Sequence, residues 1–454
     1  MPVVHVIGGG LAGSEAAFHI AQSGIKVKLW EMRPQHQTPV HKSGQLAELV
    51  CSNSLKSELI NTAQGLLKEE MRALGSLILQ CAEQTRVPAG AALAVDRDLF
   101  SALVTNRVES HPAIEIIREE VKDLPGSEPT IIATGPLTSG ALFEELTRMT
   151  GEENLYFYDA VAPSVTLDSL NLDKIFKSSR YGKGTDDYYN CPMNQAEYEE
   201  FYHNLVEADV KEGHSIDKRF YFNGCMPVEV MGRRGIDTLR FGPMRPVGLV
   251  DPRTGKRAWA VIQLRQENQE GTVYGLVGCQ TRLKWGEQAR VFRLIPGLEN
   301  AEFVRYGVMH RNTYINSPQL LEPTLQFKNN PNLLFAGQIT GVEGYMESAA
   351  TGILAGINMV RHIREQDMLV MSKCTMLGAL VGFITETSPK DFQPINANFG
   401  ILPALPSPVR DKKIRYEEYV KRSQNTMVDV QKRLTSRVTQ EGDTRGRFSC
   451  VIPQ

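Results

Sequence analysis

Two of the seven cysteines in this 454-residue chain sit where chemistry, rather than packing, explains them best. Cys51 lies in LAELVCSNSLKS and Cys225 in FNGCMPVEVMGRRG, each among Ser, Asn, Gly and Pro instead of in an apolar run. The thiolate is the nucleophilic form, and an unperturbed thiol of pKa about 8.5 is only slightly ionised at neutral pH. Local help is therefore expected at both positions. Asn53 and Ser54 are placed to cap a helix beginning at Leu55, which would set Cys51 beside unpaired amides, and Cys225 precedes Pro227 and the cationic Arg233 and Arg234. The other thiols read differently. Cys81, on the apolar stripe of a helix, Cys279, in a strand, and by default Cys374 and Cys450 read as small buried hydrophobes. Cys191, in YYNCPM, stays open as a minor candidate. No CxxC spacing occurs, so neither a zinc site nor a disulfide framework is expected, and no metal ligand set stands out.

The elements that must position these thiols begin at once. VVHVI (3–7) is an apolar strand, followed by Gly8, Gly9, Gly10, Leu11, Ala12 and Gly13 and then a helix to about Ser23. This is GxGxxG in its proper setting. The first glycine permits the tight turn, the second lets a pyrophosphate approach the backbone, and the third lets helix and strand pack closely. The helix N-terminus adds free amides and a positive dipole end. The next strand, IKVKLW, ends at Glu31, where a carboxylate accepts ribose hydroxyls in dinucleotide folds. Two later segments point to FAD rather than NAD. IIATG (131–135) is a second glycine-ended strand, and NLLFAGQITGVEGYMESAATG leads a strand into a helix N-terminus, with Gly337 and Gln338 at the turn. No second GxGxxG appears, so any NAD(P)H is expected to bind transiently over the flavin.

Along the rest of the chain, 55–84 reads as helical with breaks near Gly65 and Gly75. A helix starts near Asp96, and 114–121 reads as a strand. Between about 186 and 324 aromatic, Asn, Gly, Pro and Arg residues dominate, with short strands at 257–264 and 272–279 and a helix over 194–211. The expected fold is α/β: a Rossmann-like two-dinucleotide-binding flavoprotein domain (1–185 and 325–454) carrying a smaller α+β insertion domain (186–324). The C-terminal part, with a Pro-rich connector at 402–408, reads as helical and basic; residues 408–447 hold eleven Lys/Arg against six Asp/Glu.

A hydrophobic content of 42% and a charged content of 22% are ordinary for a globular chain, and no run approaches the ~20 apolar residues of a membrane span. The N-terminus has no basic lead, apolar h-region or cleavage site, so a cytoplasmic protein is expected. A net charge of -2 argues against non-specific coating of nucleic acid but leaves room for a local basic face.

Taken together, LAELVCSNSLKS, YYNCPMN, FNGCMPVEVMGRRGIDTLRFGPMRPVGL, QTRLKWGEQ, YGVMHRNTYINSP and AGQITGVEGYMESAATG resemble the folate- and FAD-dependent tRNA (uracil-5-)-methyltransferase family over about residues 3 to 450. The resemblance implies methylation of carbon 5 of a T-loop uracil in tRNA. The one-carbon unit comes from 5,10-methylenetetrahydrofolate and the reducing equivalents from NAD(P)H through FAD. It also implies that Cys225 attacks carbon 6 of the base and that Cys51 removes the proton from carbon 5. Trp285 and Tyr345 lie in matching motifs and read either as aromatics stacked on a cofactor or as core. Arg282, Lys284 and His310 read as contacts to folate carboxylates, nicotinamide phosphate or RNA, or as structural groups. Arg233, Arg234 and Arg240 are candidate RNA phosphate contacts. No obligate protein partner is evident.

Four other readings compete, one of them a non-catalytic RNA chaperone that retained FAD, which a turnover assay separates from an enzyme. The larger FAD enzyme of the tRNA wobble uridine is longer and works with a GTPase partner. A paralogue acting on a uracil of ribosomal RNA would share every chemical motif. A flavin-dependent thiol oxidoreductase would keep its two cysteines close in sequence and carry two dinucleotide fingerprints, neither of which is present.

Overall fold

The computed structural model describes residues 2–38, 40–150, 155–182, 185–211, 226–390 and 392–435. The strand Val4–Ile7 is buried at all four positions, as expected of a parallel strand covered on both faces. It lies inside a six-stranded sheet of order Gln326–Phe327, Asn330–Phe335, Thr130–Ile132, Val4–Ile7, Val27–Trp30, Ile114–Ile117. Every pairing is parallel except the edge strand Gln326–Phe327. The chain steps outward from Val4–Ile7 in one direction and then returns to its other side at Thr130–Ile132. The carboxyl ends of these two strands therefore open a crevice at the point where the strand order reverses.

Two helices fix the walls of that crevice. Leu11–Gln22 and Tyr345–Ile363 cross backbone to backbone through small residues. A Cβ on Gly352 would lie 2.3 Å from the Ala12 carbonyl oxygen, one on Gly356 would lie 2.9 Å from that of Ala16, and one on Gly337 would lie 2.8 Å from the Ala12 methyl. The small residues of the two helices are thus the ones that touch.

The second sheet is antiparallel, in the order Phe176–Lys177, Tyr189–Met193, Ala260–Gln266, Val273–Leu276, Ser164–Thr166, Phe303–Arg305. It has its own hydrophobic core, closed by Gln195–Glu207 and Trp285–Phe292. Asn194 starts the first of these helices with a reciprocal capping box to Glu197. This sheet begins at Ser164, so its first two strands come from the stretch that the sequence reading assigned to the nucleotide domain. A two-stranded ribbon, Leu155–Ala160 with Met309–Tyr314, carries the chain between the units.

One expected helix is not there. Residues 54–57 form a strand paired with Ala92–Val95, and helices follow at Ala63–Ala73 and Leu77–Gln84. Gly75, with φ of +80°, is the break; Gly65 instead lies in a first helical turn, where a Cβ would strike the Leu59 carbonyl. The helix Asp96 begins is present, with its carboxylate accepting from the amides of Asp98 and Leu99. At the C-terminal side, the buried Glu70 carboxylate accepts from the amides of Met376 (2.6 Å) and Leu377 (2.8 Å) and from the Ser423 hydroxyl (2.6 Å). One side chain thereby ties the helices Met376–Glu386 and Lys412–Thr435 to the core.

Replacing Gly352 by valine should cost about 3 kcal/mol of stability through overpacking against Ala12, read by urea unfolding. Gly75→Asn, at an open left-handed site, should change it by less than about 1 kcal/mol. A Gly352→Val protein as stable as its parent would show that these helices do not meet at that point.

Candidate active site

The crevice is lined by residues 7–12 of the glycine loop, by 30–33 at the end of the second strand, and by 133–139 after Thr130–Ile132. Gly337, Gln338, Tyr345 and Ser348 supply the far wall. The three loop glycines divide their work as the fingerprint predicts. Gly8 has φ of +104°, and a Cβ there would strike Ala133; one on Gly13 would sit 1.8 Å from the Gly8 carbonyl oxygen. A Cβ on Gly10 meets nothing within 4 Å. The space beside Gly10 is thus a cradle open toward the helix N-terminus, shaped for a pyrophosphate.

Glu31 occupies the expected position, but its lone pairs are committed. One carboxylate oxygen accepts from the backbone N–H and Nε of Arg33 (3.0 and 2.9 Å), the other from Gly9 N–H (3.0 Å) and Arg33 Nη2 (3.1 Å). A carboxylate has about four acceptor sites, so Glu31 fixes the glycine loop and Arg33 rather than waiting for a ribose. Burial pushes its carboxyl up, yet the hydrogen bonds and charge of Arg33 and the Gly9 amide outweigh that and leave it below the usual range. Arg33 reaches on to Glu48 (3.2 Å). His41 lines the same crevice, its Nδ1 2.6 Å from Thr38 Oγ1, and burial together with Arg33 lowers its pKa to about 4. Sequence reasoning missed Arg33, His41 and Glu48; the available signal was an arginine two residues after the strand-end acid.

Cys51 is held at the Tyr345 end of this crevice, next to the lining residue Val50. The Tyr345 hydroxyl accepts from the amides of both Cys51 (2.8 Å) and Ser52 (3.1 Å). From the second sheet, Arg265 donates to Asn53 Oδ1 (2.8 Å) and to Ser52 Oγ (2.6 Å). Asn53 in turn donates to the carbonyls of Val95 and Gln266. Asn53 and Ser54 therefore cap no helix, which corrects the expected source of help for the thiol. The Cys51 Sγ contacts the Ala160 carbonyl at 3.9 Å. Burial, and then the charge of Cys51, push the Tyr345 phenol upward, so it stays protonated at neutral pH.

Cys225 lies outside the described residues, as does Cys450. The segment on its C-terminal side is well anchored. Met226 and Val230 pack with Met231 and Met309, and Met309 stands opposite Ala160 in the ribbon that the Cys51 thiol touches. The short helix Val228–Gly232 is clamped by Glu229, whose fully buried carboxylate accepts from Thr281 Oγ1 (2.9 Å) and Arg282 N–H (3.2 Å) and pairs with the Arg282 guanidinium at 3.7 Å. Burial drives this carboxyl up against those donors. Arg282 is thus engaged inside the fold.

Other expected site residues stand elsewhere. Trp285 is half exposed at a helix start, stacked on Tyr306 (5.6 Å) with Lys211 over its ring, and does not line the crevice. Lys284 pairs with Asp209 at 3.0 Å. The His310 side chain lies outside the described residues. Arg233 donates weakly to the Val206 carbonyl and Arg234 is exposed. Arg240 is drawn inward, 3.9 Å over the Trp259 ring and paired with Asp237. Cys81, Cys191 and Cys279 are sealed in apolar interior; burial pushes the Cys81 and Cys279 thiols to about 12 and the Cys191 thiol strongly upward, which removes Cys191 as a nucleophile. Among the described residues, no three His, Cys, Asp or Glu gather as a metal site, and no helix is long and apolar enough to cross a membrane.

This combination of a doubly wound sheet, a glycine-loop crevice and an antiparallel second unit defines a Rossmann-like protein of the flavoprotein type. The family model described as Glucose inhibited division protein A matches residues 3–367. Two crystal forms of Aquifex aeolicus GidA share the fold, form II with a TM-score of 0.66 at 17% identity, covering 95% of this chain and 74% of that one. The chain is also 64% identical over 427 residues to the methylenetetrahydrofolate–tRNA-(uracil-5-)-methyltransferase TrmFO of Syntrophomonas wolfei, covering 94% of this chain and 98% of that one. It is 55% identical over 433 residues to that of Halalkalibacterium halodurans, with 95% and 99% covered. The chain belongs to the TrmFO family.

Brief alkylation at neutral pH should label Cys51 well before Cys81, Cys191 or Cys279, as mapped by peptide mass spectrometry. Tyr345→Phe removes the acceptor shared by two amides, so it should destabilise by about 1–3 kcal/mol and speed labelling of Cys51. Labelling of Cys191 ahead of Cys51 would contradict the burial of these thiols.

Proposed function

We propose that this chain is a cytoplasmic enzyme that methylates carbon 5 of a T-loop uracil in tRNA. In this reading 5,10-methylenetetrahydrofolate is the carbon donor and NAD(P)H the source of reducing equivalents, passed through bound FAD. The observation that carries the reading is the Cys51 segment, held by Tyr345 beside the glycine-loop crevice in a chain 64% identical to a TrmFO protein.

The fit to FAD rests on the chain itself. The cradle beside Gly10 and the amides opening Leu11–Gln22 suit a pyrophosphate. Gly8, Gly9 and Gly13 set its shape, with Leu11 and Ala12 beginning the helix. Arg33 and Glu48, aligned by Glu31, would border the ribose of FAD, and Gly337, Gln338 and Tyr345 would face its ring. When bound, the reduced flavin supplies the hydride that turns the transferred methylene into a methyl group.

The protein's own steps begin with the Cys225 thiolate. It forms a bond to carbon 6 of the uracil, pushing an electron pair through carbon 5 onto the carbonyl oxygen at carbon 4. Carbon 5 of this enolate then bonds to the electrophilic one-carbon unit, whose carbon–nitrogen π pair returns to the carrier nitrogen, so the base is joined to its carrier through a CH2 group. The Cys51 thiolate takes the proton from carbon 5, and the electron pair left behind expels the carrier amine, leaving an exocyclic methylene on carbon 5 with Cys225 still bound at carbon 6. That methylene is the hydride acceptor, and the electron pair returned to the ring re-forms the bond between carbons 5 and 6 and expels the Cys225 thiolate. Carbon 5 of a base in a folded loop is out of reach until that base is turned out. Tyr345 holds the Cys51 backbone and Arg265 the side chains of the next two residues, so that the thiol need not reorganise.

The test is to supply NADPH and methylenetetrahydrofolate and score 5-methyluridine by mass spectrometry in tRNA and ribosomal RNA transcripts. Methylation of tRNA alone is expected; methylation confined to ribosomal RNA, or absent from both, overturns the assignment. Cys225→Ala should abolish methylation and leave the protein yellow, whereas loss of FAD from that variant would mark Cys225 as structural. Gly10→Val should give a folded, colourless protein because the new side chain fills the cradle, and a fully flavin-loaded variant would refute the pyrophosphate site.

A further inference from the structure

Segments 180–181 and 233–248 of the antiparallel unit, joined through Arg180 to Val247 and Tyr181 to Gly248, carry aromatic and cationic side chains that the reaction centre does not use. Phe241 is 75% exposed, the most exposed large hydrophobic among the described residues, and Tyr181 is 58% exposed. Neither is loosely displayed. The Arg240 guanidinium lies between two rings, 3.9 Å from the Trp259 centroid and 5.0 Å from that of Phe241, and Asp237 holds it at 3.0 Å. Arg240 thus serves as a brace beneath Phe241. Tyr181 keeps a left-handed backbone at φ of +59°, a conformation unfavourable for a residue with a Cβ. Its N–H donates to the Gly248 carbonyl (2.9 Å), and Gly248 approaches its ring so closely that a Cβ there would lie 2.9 Å away. Two aromatic side chains are therefore held out to solvent at some energetic cost, one of them by backbone strain.

Arginines outnumber acids around them; Asp186, close to Tyr181, accepts from the Ser179 amide at 2.8 Å. Arg180 donates to the Gln263 side chain and the Val247 carbonyl, and Arg245 turns back over Gly242 through its own amide. Among the described residues neither Arg180 nor Arg245 has a carboxylate partner, nor do Arg233 and Arg234 at the end of the preceding helix, and Asp237, the acid beside Phe241, is taken by Arg240. Exposed aromatic faces interleaved with unneutralised guanidinium groups suit an unpaired stretch of RNA. Bases stack on the rings without regard to sequence, and phosphates take the arginines. A protein partner of ordinary composition would leave these cations buried without counter-charge.

We propose that Phe241, Tyr181, Arg245 and Arg234 form a docking face for the RNA substrate, with unpaired bases stacked on the two rings and phosphates on the two arginines. The proposal rests on the reading that tRNA is the substrate and adds to it a surface outside the dinucleotide crevice. It also replaces Arg240, expected from sequence as a phosphate contact, with the ring that Arg240 supports.

The test uses the full-length, flavin-loaded enzyme and a tRNA transcript. Phe241→Ala should raise the KM for tRNA about tenfold, the loss of one stacked base at roughly 1.4 kcal/mol, while the KM for methylenetetrahydrofolate stays within twofold. Phe241→Trp should restore tRNA binding. Arg234→Ala with Arg245→Ala should reduce the slope of log Kd against log salt by about one to two, as expected for two lost phosphate contacts. Flavin absorbance and thermal unfolding check that each variant is folded. Unchanged tRNA affinity in all of these variants overturns the docking face. So does a loss that tryptophan fails to rescue, or a change in oligomeric state with tRNA affinity intact. A parent enzyme that methylates no tRNA would sink the functional reading instead, and the two failures are therefore distinct.

Discussion

The close crossing of the helices Leu11–Gln22 and Tyr345–Ile363 is the constraint on which the site depends. Gly352 and Gly356 let one helix backbone rest on Ala12 and Ala16 of the other, and Gly337 completes the contact at the turn before. This contact brings two helix N-termini, some 330 residues apart in sequence, to the same crevice. One aims amides at the glycine loop; the other carries Tyr345 to the backbone of Cys51. Any side chain inserted between them would part the phosphate cradle from the thiol's support.

Buried carboxylates do most of the remaining positioning. Glu15 caps the helix Leu77–Gln84 through the amides of Leu77 and Ile78, and Glu70 caps Met376–Glu386 in the same manner. Burial raises both toward about 7, and the donors around each pull the other way. Glu31 and Glu229 are each matched to an arginine and to backbone amides. In every case the acid meets positively polarised groups from a distant part of the chain, so a costly buried charge fixes the relation of two elements.

Much of this was legible in the sequence because it is local. A strand, three glycines and a helix follow one another within twenty residues, and Asn194 or Asp96 announces its own helix start. Most of the parts that were not legible depend on partners far away; Glu31, engaged by Arg33 two residues on, is the local exception. Residues 54–57 are a strand only because Ala92–Val95 lies alongside. Glu31 has its acceptor sites filled by the backbone and side chain of Arg33, which no pattern of ribose recognition anticipates. Trp285 stands in a motif shared with the methyltransferases, yet its neighbours are Tyr306 and Lys211 on the outer surface. Arg240 reads in sequence like any basic side chain, and only the fold sets Trp259 and Asp237 beside it.

Residues 51–53 have one foot on each half of the molecule: a phenol from the nucleotide unit grips their amides, and a guanidinium from the antiparallel unit grips their side chains. Turning one half against the other must therefore stretch or relax this short bridge. The sulfur it carries acts as a mechanical gauge, its pose set by the angle between the units as directly as by anything in its immediate surroundings.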